Sequence, residues 1–420
     1  MTRMPALAAC ILDSALPRPG LSDLPFEVLD LILRPLCPNL LRGPYLPLPW
    51  RQNIHAILRE LRAFADLRLV CSSFNDIIVP IFFQEVIILI SPFTRPEQLT
   101  EFFRSGAAYI KSVVIFGHTE GRRPRTQWPS SAIKEALGHG LGLLTRIQNL
   151  ECHGEHGAFV DSWFQSFTPN LALTVTSLTI TPSYQLQAGV YQSLSSLGNS
   201  LTHLAIIDWI GPLKEGDDNF PTTFYLPNLT YLTLQHGNPH PCELQKFFAS
   251  IKNARGRTPL RFLSILDLRT NYDVDVITNL LTTDDLGAQL SSLRLHLSLT
   301  KTTKTAEYPK VVLQACPNLK EFSYATRPVD RGIFSYLPPT LERLEVTALP
   351  TSHIHASTSV TPEAIAAFLR GQNRQALRAV SVRFLCSSPG MAVDSFLTAV
   401  CEEVGAQMSD SGSGSAMIVL

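Results

Sequence analysis

Few residues in this 420-residue chain stand at spacings that chemistry uses. Cys152, His153 and His156 carry the letters of a metal site, because thiolate and imidazole are zinc's usual donors. Zinc needs a second pair of ligands, and none follows. Cys152 also falls where a strand turns its side chain inward, and there a cysteine behaves as a small apolar group. No Gly-rich phosphate loop, Gly-x-Ser-x-Gly elbow or His-Glu-x-x-His motif occurs. The sequence therefore predicts no catalytic residue, no metal and no cofactor. What remains is a scatter of residues suited to recognition: Glu151, His203, Tyr231, Asp267, Arg269, Arg294, His296, Glu321, Arg343 and Glu345. Charged and aromatic side chains of these types hold partners by ion pairs, hydrogen bonds and ring contacts. Only a repeated element would bring them to one surface.

Such an element recurs. Ile110, Val113 and Ile115 follow the spacing apolar-x-x-apolar-x-apolar. The spacing returns at Ile147/Leu150/Cys152, Val175/Leu178/Ile180, Leu201/Leu204/Ile206 and Leu229/Leu232/Leu234. It continues at Leu263/Leu266/Leu268, Leu290/Leu293/Leu295, Leu319/Phe322/Tyr324, Leu341/Leu344/Val346 and Leu377/Val380/Val382. These ten units are spaced by roughly 22 to 37 residues. This is the strand signature of a leucine-rich repeat. Each unit's inward residues are buried only by its neighbours, so the units must stack. Val86 to Ile90 reads as a strand ahead of them, and Pro96 to Phe103 as a short helix. Further helices read at Gln185 to Leu197, at Glu243 to Ile251 and from Thr361, a cap followed by Pro362. Val393 to Val404 ends the array. Alternating strands and helices give an α/β solenoid with a parallel sheet on the concave face and helices outside.

The residues between the inward ones then form stripes on the concave face, about 4.8 Å from rung to rung. Glu151, Asp267, Arg294 and Glu345 fall in the middle stripe. His203, Tyr231, Glu321 and Arg343 fall in the preceding one, and Arg269 and His296 in the following one. On this count Asp267 stands one rung from Arg294, and Glu321 one rung from Arg343. Such pairs serve a partner or simply neutralise each other. The Asn that many leucine-rich repeats place three residues after the last strand Leu appears only as Asn271. Other units have Glu155, Ser183, Trp209 or Gly237 there, so the array is irregular.

Ahead of the repeats lies a compact apolar module. Ser22 or Asp23 caps a helix with Pro25 in its first turn and Phe26, Leu29, Leu31, Ile32 and Leu33 on its apolar face. A second helix carries Leu67, Val70, Cys71, Phe74, Ile77 and Ile78 up to Pro80. Helices this short cannot hide so much apolar surface alone, which implies a partner. Leu24, Pro25, Glu27, Val28 and Ile32, followed by Leu69, Val70, Cys71 and Phe74, resemble the F-box pattern. The resemblance implies that Leu24, Pro25, Glu27, Val28, Ile32, Leu69, Val70 and Cys71 dock on the Skp adaptor of a cullin–RING ubiquitin ligase. A Pro-rich insertion at 37–60 is longer than the family's module carries at that place.

Composition excludes other classes. Lys plus Arg equals Asp plus Glu at 35 each, so a generally basic nucleic-acid binder is not expected. The basic group Arg122, Arg123 and Arg125 sits among Gly and Pro, as a solvated loop would. Hydrophobic residues make up 45% and charged residues 17%, which favours a folded chain over disorder. The eight cysteines form no Cys-x-x-Cys pair, as in a reduced intracellular protein, cytoplasmic or nuclear. Arg3 and Pro5 to Leu12 faintly resemble a secretory signal, but Asp13 interrupts them. The most apolar stretch, Ile77 to Ile90, is too short for a membrane span.

The expected order is a disordered leader at 1–20, an F-box-like module at 21–85, a repeat array at 86–408 and a flexible tail at 409–420, whose apolar last residues, Met417 to Leu420, are expected to dock on the terminal repeat. The expected role is a non-catalytic adaptor that docks on Skp and holds a protein substrate, without nucleic acid or membrane. The alternative is a repeat scaffold outside any ligase, with a vestigial F-box.

Overall fold

The computed structural model describes residues 66, 72–91, 93–117, 130–154, 174–181, 188–209, 225–251, 256, 258–268, 274–282, 285–297, 308–326, 331–348, 362–370, 377–384, 398–403, 407–410 and 415–419. The chain divides into two compact units. One comprises Met1–Val86 with Ala108–Ser112, the other Ile87–Ala107 with Val113–Leu420.

In the first unit, helix α1 (Ser72–Phe82) buries Ile77, Ile78 and Ile81. The helix was expected to stop at Pro80. It runs two residues further, because Pro80 lies in the last turn, where the chain is already closing. The Phe83 N–H donates to Val79 O at 3.0 Å and the Gln84 N–H to Ile81 O at 3.2 Å.

The strands are β1 (Glu85–Ile90), β2 (Ser112–Gly117), β3 (Asn149–Gly154), β4 (Ser177–Ile180), β5 (His203–Ile207), β6 (Tyr231–Gln235), β7 (Phe262–Leu268), β8 (Ser292–Leu297), β9 (Glu321–Thr326), β10 (Arg343–Ala348), β11 (Ala379–Phe384), β12 (Gln407–Asp410) and β13 (Ser415–Val419). They form one sheet in the order β1 to β11, then β13, then β12. The first eleven run parallel, a solenoid-like arrangement. Each is hydrogen-bonded to the next in the chain, which right-handed crossovers permit only with all helices on one face.

Those helices are α2 (Pro96–Gly106), α3 (Ser131–Gly142), α4 (Ala188–Leu197), α5 (Pro241–Ser250), α6 (Val274–Thr282), α7 (Leu286–Gln289), α8 (Tyr308–Ala315) and α9 (Pro362–Arg370), with a 3-10 turn at Arg331–Tyr336. Proline opens α2 and α5, where its missing N–H costs nothing. Ser130 caps α3 by accepting from the Ile133 N–H at 3.4 Å. Between sheet and helices lies the core: Leu150, Cys152, Leu178, Ile180, Leu204, Ile206, Leu232 and Leu234 in successive strands are all buried. Phe103 of α2 closes on Gly140 of α3, where any Cβ would strike its ring.

One device repeats at the entrance to the strands. A single carbonyl accepts the N–H of the two residues that begin the next strand. Gln148 O takes Thr176 and Ser177 at 2.9 Å, and Thr176 O takes Thr202 and His203 at 2.9 and 3.0 Å. Thr202 O, Thr230 O, Arg261 O, Ser291 O, Lys320 O and Glu342 O do the same. The hydroxyls of Thr176, Thr202, Thr230 and Ser291 add a third donor to the carbonyl behind them. This ladder fixes register irrespective of repeat length.

Two expectations fail. The unit read as Leu263/Leu266/Leu268 is instead Leu260/Leu263/Ile265, all buried. Leu263 and Ile265 pair with Leu232 and Leu234 on one side and with Leu293 and Leu295 on the other. The stretch from Leu260 to Leu268 satisfies the apolar spacing in both frames, three residues apart. The carbonyl ladder selects the earlier one, through Arg261 and Phe262 on Thr230 O. Counted from the inner residue Ile265, the position three residues on is Leu268, not Asn271. The second failure concerns the tail expected at 409–420. β12 and β13 form an antiparallel hairpin there, and β13 pairs antiparallel with β11.

Candidate functional site

The face of the sheet away from the helices carries three aligned rows. The first holds Asn149, Ser177, His203, Tyr231, Phe262, Ser292, Glu321 and Arg343. The second holds Glu151, Thr179, Ala205, Thr233, Ser264, Arg294, Ser323 and Glu345 by the same pairing. In the third row Ile207, Gln235, Leu266, His296, Ala325 and Thr347 run from β5 to β10.

The middle of the first row is an aromatic stack. His203 and Tyr231 lie 4.0 Å apart between ring centroids, with planes 10° apart. Tyr231 and Phe262 lie 4.0 Å apart at 4°. Parallel strands in register place the rings face to face, and Tyr231 keeps 36% of its surface exposed. The Thr202 hydroxyl donates to Thr176 O, so it must accept from His203 Nδ1, 2.8 Å away. Partial burial holds the His203 imidazole below its ordinary pKa.

Beyond the stack the face turns polar. Ser292 Oγ donates to Glu321 Oε2 at 3.3 Å, and Arg343 Nη1 lies 3.1 Å from Glu321 Oε1. Ser323 Oγ donates to Glu345 Oε2 at 3.0 Å, with His296 Nε2 at 3.1 Å on its other side. These three letters invite comparison with a nucleophilic triad, but the order differs. Serine sits in the middle with its proton directed to the carboxylate, so the imidazole does not activate it. At the other end, His153 Nε2 lies 3.2 Å from Glu151 Oε2 and Nδ1 2.9 Å from Thr181 Oγ1, while the ring stacks on Phe116 at 4.9 Å.

Cys152 points to the core side of β3. Burial, and then the nearby Glu151 carboxylate, raise its thiol far above the ordinary range. Burial likewise pushes Cys316 up to about 12. Both are packing groups. Among the described residues no cluster of three His, Cys, Asp or Glu side chains stands ready for a metal. No described helix is long and apolar enough to cross a membrane.

The structure thus brings Glu151, His203, Tyr231, Arg294, His296, Glu321, Arg343 and Glu345 to one face. Asp267 does not stand beside Arg294: the Cα partner of Arg294 on β7 is Ser264, three residues earlier. Arg269 lies outside the described residues, as do Leu24, Pro25, Glu27, Val28, Ile32, Leu69, Val70 and Cys71. Sequence reasoning missed Phe262 and Ser264, which the correct frame would have supplied. It also missed the tying roles of Ser323 and Thr181, which no spacing announces.

No protein-family model matches the chain, and no curated protein matches it. Among solved structures, a chain of the "Crystal structure of Rad7 and Elc1 complex in yeast" is 13% identical, with a TM-score of 0.34. The match covers 80% of this chain and 91% of that one. At that level it says nothing of partners.

Proposed function

We propose that the chain is a substrate-recognition adaptor of a Skp–cullin–F-box ubiquitin ligase. Its F-box-like stretch docks on the Skp adaptor, through Leu24, Pro25, Glu27, Val28, Ile32, Leu69, Val70 and Cys71. The open face of the sheet holds a protein substrate. The observation that carries the second half is the alignment of aromatic, polar and charged side chains across eight consecutive strands, β3 to β10, with the helices packed behind. The F-box resemblance of residues 21–85 carries the first half. Catalysis in this reading is proximity: substrate lysines are held at high effective concentration near a thioester borne by another subunit. No residue of this chain does covalent chemistry.

The Pro-rich insertion at 37–60 favours a second reading, a repeat scaffold that has lost its docking surface. A pulldown with purified Skp adaptor separates the two. The wild-type chain is expected to be retained, and the Leu24→Ala, Pro25→Ala double variant to pass through. A folded wild-type chain that is not retained leaves the scaffold as the better account.

A further inference from the structure

At the centre of the open face a row of small side chains runs between two rows of larger ones, in the manner of a groove. Its floor is Ala205, Thr233 and Ser264, the small members of the second row on β5, β6 and β7. One wall is the edge of the ring stack His203, Tyr231 and Phe262. The other is Ile207, Gln235 and Leu266 in the third row. The three rows carry no Asp, Glu, Lys or Arg on β4 to β7. The second row meets charge at both ends: Glu151 on β3 and Arg294 on β8.

These end charges are available. Glu151 accepts from His153 Nε2 through Oε2, and 29% of its side chain stays exposed. Arg294 is exposed, and among the described residues it makes no ion pair. Five rungs separate β3 from β8, or about 24 Å, the length of about seven extended residues. The groove crosses the strands, and strand backbones there already bond to each other. A ligand is therefore gripped through side chains, with an exposed aromatic wall as the anchoring surface.

We infer that this groove takes an extended peptide segment with an apolar centre, a basic residue over Glu151 and an acidic residue over Arg294, about seven positions apart. This deepens, and rests on, the reading of the sheet as the substrate-holding face.

The test is fluorescence anisotropy on the full chain with three labelled, end-capped octapeptides. The first is Lys-Thr-Leu-Leu-Leu-Leu-Thr-Asp; the others carry Lys at both ends or Asp at both ends. The wild-type chain should bind the mixed peptide at least tenfold tighter than either of the others. Arg294→Glu should invert the order in favour of Lys at both ends, and Glu151→Lys in favour of Asp at both ends. Tyr231→Ala should weaken every peptide at least tenfold. Because Arg294 is exposed, its variant remains informative even if Tyr231→Ala fails to fold. No saturable binding, or an unchanged order in Arg294→Glu, overturns the inference. So does sedimentation showing a dimer that Arg294→Glu disperses, since the face is then covered by a second copy. Skp retention measured on the same samples keeps the outcomes apart. Peptide binding without Skp retention removes the ligase reading alone, and the reverse removes the groove alone.

Discussion

Tyr231 sits between two rings because three neighbouring strands present an aromatic at the same register position. His203 is the sensitive member. Its folded-state pKa lies below the unfolded value, so the unfolded chain binds the extra proton. The stability it contributes is full above about 6.5 and falls as pH drops through that value, levelling off below the folded pKa. An NMR titration should place the His203 midpoint below the ordinary value, and His203→Gln should flatten that part of the melting-temperature profile. A midpoint above 6.5 would mean that the stack does not desolvate the ring. Thr202 bonds both the carbonyl ladder and His203. Thr202→Val keeps the shape and loses both bonds, an expected cost of about 1–2 kcal/mol by urea unfolding. Spacing alone made His203 and Tyr231 legible as face residues. Their stacking was not, because Phe262 was hidden in the wrong frame. The His296–Ser323–Glu345 chain was not legible either, since it depends on rotamers across three strands.

At the scale of elements, the sequence marked nearly every strand through its inward apolar pairs. It failed at β7 because Leu260–Leu268 offers two frames of similar hydrophobicity, and backbone hydrogen bonds choose between them. Helix packing was less legible: nothing in the sequence shows that Phe103 needs Gly140. Replacing Gly140 with alanine gains about 1 kcal/mol of helix propensity. Overpacking against a fully buried ring costs about 1–3 kcal/mol, and the ring cannot swing away. Gly140→Ala should therefore lower the urea midpoint, with the slope unchanged; a raised midpoint would show that α2 and α3 have room to part. The exposed pair of Arg370 in α9 with Glu403 is bidentate, yet open to water, so its removal should change stability little.

For the molecule as a whole, the parallel array needs its last strand covered. β13 supplies that cover; the apolar residues from Met417 on pointed to docking there, while the Ser/Gly composition of Ser409 to Ser415 hid the strand pairing by resembling a flexible tail. Truncation after residue 406 should expose the β11 edge, lower the melting temperature and promote association, visible in sedimentation. A truncated chain as monomeric and stable as the full one would remove β13 from the account. The role of the whole molecule turns on whether its F-box-like stretch docks. Calorimetric titration of purified Skp adaptor into the full chain measures that directly. The account predicts a saturable one-to-one heat, lost in the Leu24→Ala, Pro25→Ala variant and retained in Tyr231→Ala and Arg294→Glu. A flat titration with folded wild-type chain, or equal heats from wild type and double variant, would contradict it.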